Sequence, residues 1–256
     1  MVDLHIVFPF LPALVLHVVR ATAFFATAPL FGSQPDSRIL RLMLGTALAL
    51  IFWWISPKIV LVDGLSGLAL LAVREAVIGA AAGYVISLLT SALVSAGEII
   101  SNEMGFSIAQ VMDPLTGKST PVASSLYEVM GYLLLFGTGL HHEVIKVLGA
   151  TYEMVPVGHG FDMGLVQERV SAMVSDSLEY GLRYAMPTLA VMSLLTAALV
   201  ILARAVPNLN LMEFSWGLRI LLAILASCWF LAEGRTFLIS MFEDLLGKAQ
   251  VLFRGT

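Results

Sequence analysis

The chain has 256 residues, 59% of them hydrophobic and 12% charged, with a formal net charge of −4 and a mean hydropathy of +0.91. Globular domains are about a quarter charged, so too little polar surface is present to coat a soluble core. That composition excludes a soluble enzyme, a disordered chain and a disulfide scaffold. The lack of any basic cluster excludes a nucleic-acid binder and a polybasic lipid anchor. What remains is an all-α, multi-pass integral membrane protein in contact with lipid.

The N-terminus reads Met1-Val2-Asp3, without the positive region that opens a signal peptide, so the first segment is expected to be retained. Leu4 to Val19 is apolar apart from His5 and His17, and a second apolar run follows Arg20 as far as Phe31. Leu42 to Pro57 is uncharged and ends on Trp53-Trp54, which suits an aromatic belt at a membrane interface. Nothing ionises over the 22 residues from Ala76 to Gly97, and this matches the ~20 apolar residues a helix needs to cross a bilayer. Val122 to Leu140 is apolar but contains Glu128. Val166 to Arg183 is amphipathic, with Val166, Val170, Met173, Val174 and Leu178 on one face and Glu168, Arg169, Asp176 and Glu179 opposite. Glu179 and Arg183 stand at the i,i+4 spacing of an ion pair. Tyr184 to Ala203 is a second charge-free stretch, of 20 residues. Phe214 to Leu231 carries Arg219, and the C-terminal stretch sets Leu238, Met241, Phe242, Leu245, Ala249 and Leu252 against Glu243, Asp244 and Lys248. The count is about six apolar helices plus two amphipathic ones.

The charges inside these helices are informative. One charge in the bilayer core costs ~2.5–3.5 kcal/mol on insertion scales, so Arg20, Arg74, Glu75, Glu128 and Arg219 are expected to face protein or a water-filled path. Arg74 and Glu75 are neighbours whose side chains point about 100° apart on a helix, so their partners must come from other helices or other chains. Snorkelling at a helix end is the alternative for Arg74 and Arg204. The Lys and Arg residues of alternate loops do not select an orientation.

Candidate catalytic groups are few. Adjacent histidines in His141-His142-Glu143 cannot converge on one metal, and no H-E-x-x-H spacing occurs, so this is read as a polar helix end. No G-x-S-x-G, Walker or G-x-G-x-x-G motif is present. The expectation is no enzyme activity, no metal and no cofactor. Twelve methionines are compatible with plain core or with an adaptable surface. The lone Cys228 forbids an internal disulfide.

The segment Ala96 to Pro121, AGEIISNEMGFSIAQVMDPLTGKSTP, lies between two membrane helices. Gly105 permits close backbone approach, and Asp113-Pro114, Gly117 and Pro121 form a loop. Its strip of Met104, Phe106, Ile108, Val111 and Met112 suits a re-entrant or plug-like loop, which membranes tolerate only inside protein or along a cavity. An ordinary interfacial connector is the plainer alternative.

AGEIISNEMGFSIAQVMDP resembles the signature segment of the FliR family, membrane subunits of the bacterial flagellar type III export gate whose injectisome counterparts are the SctT-type proteins. Three further stretches are similar in register: RATAFFATAPLFGS from Arg20, PVASSLYEVMGYLLLFGTGLHHEVIKVLGATYEMVPVG from Pro121, and ARAVPNLNLMEFSWGLRILLAI from Ala203. Where family members carry Gly-Leu-Gln or similar before Met-Gly, this chain has Ser101-Asn102-Glu103.

The resemblance implies a single FliR-type membrane domain over 1–256, with a FliP-like part (1–183) followed by a FliQ-like helical hairpin and C-terminal amphipathic helix (184–256). It implies one copy assembled with FliP-type and FliQ-type subunits, an FlhB-type subunit around the closed gate, and exported unfolded proteins as cargo. The place implied is the bacterial inner membrane, at the flagellar basal body. The loop near 104–121 would plug the pore through Met104, Gly105, Phe106, Ser107, Ile108, Asp113 and Pro114. Arg20, Arg74, Glu75, Glu98, Glu103, Glu128 and Arg219 are expected to hold neighbouring subunits through polar contacts. The alternatives are an injectisome gate subunit, or a small-solute secondary transporter. Transporter folds often show internal repeats, and none is found here.

Overall fold

The computed structural model describes residues 10–28, 37–55, 64–104, 122–205 and 211–255, all helix and short turns. Eight helices occur among them: α1 (Leu11–Thr27), α2 (Ser37–Ile55), α3 (Gly64–Met104), α4 (Val122–Gly137), α5 (His141–Met154), α6 (Met163–Ala205), α7 (Leu211–Glu233) and α8 (Arg235–Gln250). The fold is all-α, and the helices α3 and α6 are long and apolar enough to cross a membrane. A third span arises if the bent pair Ser215–Phe230 and Arg235–Gln250 counts as one. The chain is thus a multi-pass membrane protein, and its two charge-free windows, Ala76–Gly97 and Tyr184–Ala203, each lie inside a described helix longer than the window itself.

The reason lies in what stops a helix. The charge-free window Ala76–Gly97 sits inside the 41 residues of α3, because Arg74, Glu75 and Glu98 change polarity without breaking the backbone. Likewise the amphipathic segment from Val166 and the apolar stretch from Tyr184 form one 43-residue helix, which continues through Pro187. Proline removes one backbone donor, and neighbouring groups in a membrane helix can re-satisfy the freed carbonyl. At 1.5 Å per residue these helices are ~60 Å long, about twice the hydrocarbon thickness.

Two compact units are present: one comprises 1–88, 139–175 and 243–256, the other 89–138 and 176–242. In the first unit α1 buries Ala13, Leu16, His17, Arg20, Ala21, Phe24 and Phe25, a single stripe at i,i+3,i+4 spacing. It meets α2 at Gly45, where an added Cβ would stand 3.0 Å from the Thr22 Cα. It also packs against α3. Arg20 faces Glu75 and Gly79, while Phe24 and Thr27 face Gly83, so contacts climb both helices together and the two run parallel. Helix α5 buries Val144, Val147, Leu148 and Thr151. It starts after Gly139 (φ 78°) and leaves by Pro156-Val157-Gly158, where Gly158 (φ 85°) adopts the left-handed conformation.

The second unit is joined through small residues. A Cβ at Gly97 of α3 would meet the Ser124 Cα of α4 at 2.6 Å, and one at Gly181 of α6 would meet the Ala92 carbonyl oxygen of α3 at 2.6 Å. Tyr127 and Tyr184 pack edge to face at 5.8 Å, and Phe237 stacks on Tyr184 at 6.3 Å. Where hydrophobic association is weak, such close approach supplies dispersion contacts instead.

The predicted faces of the amphipathic helices hold at most positions. Leu238, Met241, Phe242, Leu245, Ala249 and Leu252 are buried in α8. Val166 and Met173 are buried in α6, whereas Leu178 is 59% exposed and Ser177 takes the inward place. The Glu179–Arg183 pair forms, at 2.5 Å and on the surface, where such pairs add little. Arg169 Nη1 donates to the carbonyls of Val251 (2.9 Å) and Leu252 (2.7 Å), in the turn that follows α8, where the Val251 carbonyl also accepts the Arg254 N–H at 3.0 Å. Arg169→Ala is therefore expected to loosen the C-terminal segment by about 1 kcal/mol. Faster hydrogen exchange over residues 243–255 would report it, and unchanged exchange would refute this clasp.

Candidate functional site

The centre of the first unit is a buried ion pair. Arg20 Nε donates to Glu75 Oε2 at 2.5 Å, and the two residues are 0% and 1% exposed. Arg20 Nη1 also donates to the carbonyls of Thr151 (2.9 Å) and Val155 (2.8 Å), at the C-terminal end of α5. A cation suits that position, since these carbonyls carry the negative end of the helix dipole; Thr151's also accepts the Val155 N–H at 3.0 Å. Glu75 Oε1 in turn accepts the Gly158 N–H at 2.9 Å. The guanidinium carbon lies 4.6 Å from the centroid of the Tyr152 ring, whose hydroxyl donates to the His17 carbonyl at 3.1 Å. Burial pushes the Tyr152 phenol above its ordinary range, against the opposing field of Arg20. One pair therefore ties α1, α3 and the exit of α5 together. Within this cluster, Arg20 Nη2 is left buried without a partner among the described residues.

This arrangement resolves the neighbours Arg74 and Glu75. Glu75 points inward to Arg20, and Arg74 is exposed on the flank of the same helix, as the ~100° step per residue requires. Glycines let the pair close. A Cβ at Gly79 would collide with the Arg20 carbonyl oxygen, and one at Gly83 with the Phe24 carbonyl oxygen and the Thr27 hydroxyl. Gly79-Ala80-Ala81-Ala82-Gly83 is thus a small-xxx-small packing motif. Its signal in the sequence is two glycines four apart inside an apolar window, a pattern that the positions of the charges do not reveal.

The other polar residues of interest stand apart. Glu98 is exposed; Glu103 and Arg219 are half-buried, as is Glu128, whose Oε1 accepts the Tyr132 hydroxyl at 3.1 Å. Met104 closes α3 and is 6% exposed. Gly105, Phe106, Ser107, Ile108, Asp113 and Pro114 lie outside the described residues. At the start of α5 the His141 and His142 rings stack obliquely at 4.1 Å. Glu143 there binds Lys146 at 2.6 Å and Gln250 at 2.9 Å, and both hold its carboxyl below the ordinary range, Lys146 the more strongly. Among the described residues no three His, Cys, Asp or Glu side chains converge as metal ligands.

Comparison with known proteins bears on what this scaffold serves. The sequence profile of the bacterial export proteins, family 1, matches residues 11–248. The flagellar biosynthetic protein FliR of Bacillus subtilis is 29% identical over 213 residues, covering 82% of each chain. That of Aquifex aeolicus is 29% identical over 221 residues, covering 83% of this chain and 85% of its own. That of Escherichia coli K12 is 28% identical over 213 residues, covering 81% and 79%. With a match from the first described helix almost to the end of the last, the chain belongs to family 1 of the bacterial export proteins, the FliR family.

Proposed function

We propose that the chain is a non-enzymatic subunit of the flagellar type III export gate, forming part of an inner-membrane channel for unfolded flagellar proteins. The family match over 11–248, to relatives named as flagellar biosynthetic proteins, carries this reading. The surface supports it. Of the most apolar window of α6 only 22% is buried, against 56% for α3, and Leu194 (73% exposed) and Ile201 (69%) project from it. Such a face is completed by lipid or by neighbouring membrane subunits. FliP-type, FliQ-type and FlhB-type subunits are the partners this reading assigns, with Arg74, Glu98, Glu103, Glu128 and Arg219 available for polar contacts to them.

Residues 104–121 are assigned the seal. Met104, Phe106 and Ile108 would close the pore to ions by excluding water, and Gly105 would allow the tight turn. The work of transport is supplied from outside this chain. Gentle extraction of a tagged chain is expected to yield one discrete complex with several copies of two small membrane proteins. A clean monomer or homodimer would sink the assignment. Phe106→Ala and Gly105→Asp are expected to leak ions across the membrane of cells bearing the gate, and normal sealing with normal export would remove the seal from this loop.

A further inference from the structure

An open cavity of about 400 Å³ lies beside the buried ion pair, within the first unit. Three aromatic rings wall it in sequence: Phe52 stacks on Tyr152 at 4.9 Å and Tyr152 on His17 at 5.1 Å. Ile55 and Val157 add apolar surface, and Gly149 leaves room where any other residue would project inward. The polar groups of this wall are engaged within the fold: His17 Nδ1 donates to the Ala13 carbonyl at 2.7 Å, and the Tyr152 hydroxyl donates to that of His17. Glu153 differs. Its side chain is exposed at the cavity and has neither hydrogen-bond nor ion-pair partner among the described residues.

We infer that this cavity receives an arginine or lysine side chain from a neighbouring polypeptide. The aliphatic stem would lie along Phe52, Ile55 and Val157, as long basic side chains bury their stems while keeping the charged head wet. The head would reach the carboxylate of Glu153, beside the Phe52 ring, as the electron-rich faces of aromatic rings attract cations; that of Tyr152 is already taken by Arg20. A zwitterionic or anionic lipid headgroup fits less well. Its phosphate would meet the Glu153 charge, and among the described residues no lysine or arginine lines the cavity to offset it. The Arg20 guanidinium, against the Tyr152 ring, is already neutralised by Glu75. This inference rests on the cavity alone and does not require the export reading.

The test is ligand-observed magnetic resonance titration of the full chain, purified with whatever subunits accompany it, using N-acetyl-arginine amide and its uncharged isostere N-acetyl-citrulline amide. The arginine probe is expected to bind about fivefold more tightly, the discrimination one exposed carboxylate supplies. Glu153→Gln is expected to erase that ratio. Gly149→Leu should abolish binding of both probes by filling the cavity, since its Cβ already stands 3.5 Å from Phe52, and an unchanged thermal transition would show that the fold is kept. Equal binding of the two probes, a ratio that survives Glu153→Gln, or no binding at all would overturn the inference. So would displacement of the arginine probe by phosphatidylethanolamine vesicles with an undiminished effect in Glu153→Gln, which would mark a lipid site.

Discussion

Glu75→Leu is expected to destabilise the chain by about 3–5 kcal/mol, because it strands a fully buried guanidinium. Arg20 would keep only the Thr151 and Val155 carbonyls as acceptors, and its Nη2 is unpartnered already. Arg20→Leu should cost less. A carboxyl can be carried in the interior as a neutral acid, whereas a guanidinium cannot shed its proton. The double variant Arg20→Leu/Glu75→Leu should recover part of the loss, since replacing a buried pair with apolar groups is often near neutral. Recovery stays incomplete, because the Val155 carbonyl and the Gly158 N–H lose partners at about 1–3 kcal/mol each. Unfolding of the purified variants in detergent measures this as a double-mutant cycle. Additive single effects, with no coupling between positions 20 and 75, would show that the pair is not what holds α1 to α3.

A second large effect is expected at the glycines. Alanine is worth about 1 kcal/mol more than glycine in a helix interior, so propensity alone predicts that Gly79→Ala and Gly83→Ala stabilise. The packing predicts the reverse. At Gly79 the new methyl meets the Arg20 carbonyl group, with the carbon at 3.0 Å, and at Gly83 that of Phe24, also at 3.0 Å. These are backbone atoms that cannot rotate away, so the helices must separate, at a typical overpacking cost of ~1–3 kcal/mol per site. Leucine at either position should prevent α1 from docking and take the Arg20–Glu75 pair with it. Gly247→Ala is the control: nothing lies within 4 Å of its Cβ, and it should be neutral or slightly stabilising. Thermal transitions of the five variants decide the matter. If Gly79→Ala gained stability as Gly247→Ala does, the close crossing of α1 and α3 would be wrong.

Parts of this architecture can be read without coordinates. The apolar windows at Ala76–Gly97 and Tyr184–Ala203 are legible because bilayer thickness sets a length that a charge count can find. The inward face of α8 is legible because 3.6-residue periodicity places Leu238, Met241, Leu245 and Ala249 on one stripe. Leu178 shows the limit of the method: periodicity says which residues share a face, and neighbours say how wide the covered part of that face is. Helix ends are not legible in the charge pattern for a related reason. Charges mark where polarity changes, but only backbone breakers or lost hydrogen bonds end a helix, so α3 and α6 run on past Glu98 and Tyr184.

Membrane character, the all-helical class and membership of the FliR family are properties of the sequence alone, since they follow from composition, apolar periodicity and motifs contiguous along the chain. The pairing of Arg20 with Glu75, the capping of α5 by that same arginine, and the cavity bounded by Phe52, Tyr152 and Glu153 are decided only in three dimensions. Each joins residues of different helices, and which face of one helix meets which face of another depends on where Gly45, Gly79 and Gly83 allow close approach. An isolated charge on an apolar helix announces that it needs a partner; packing determines which one it finds.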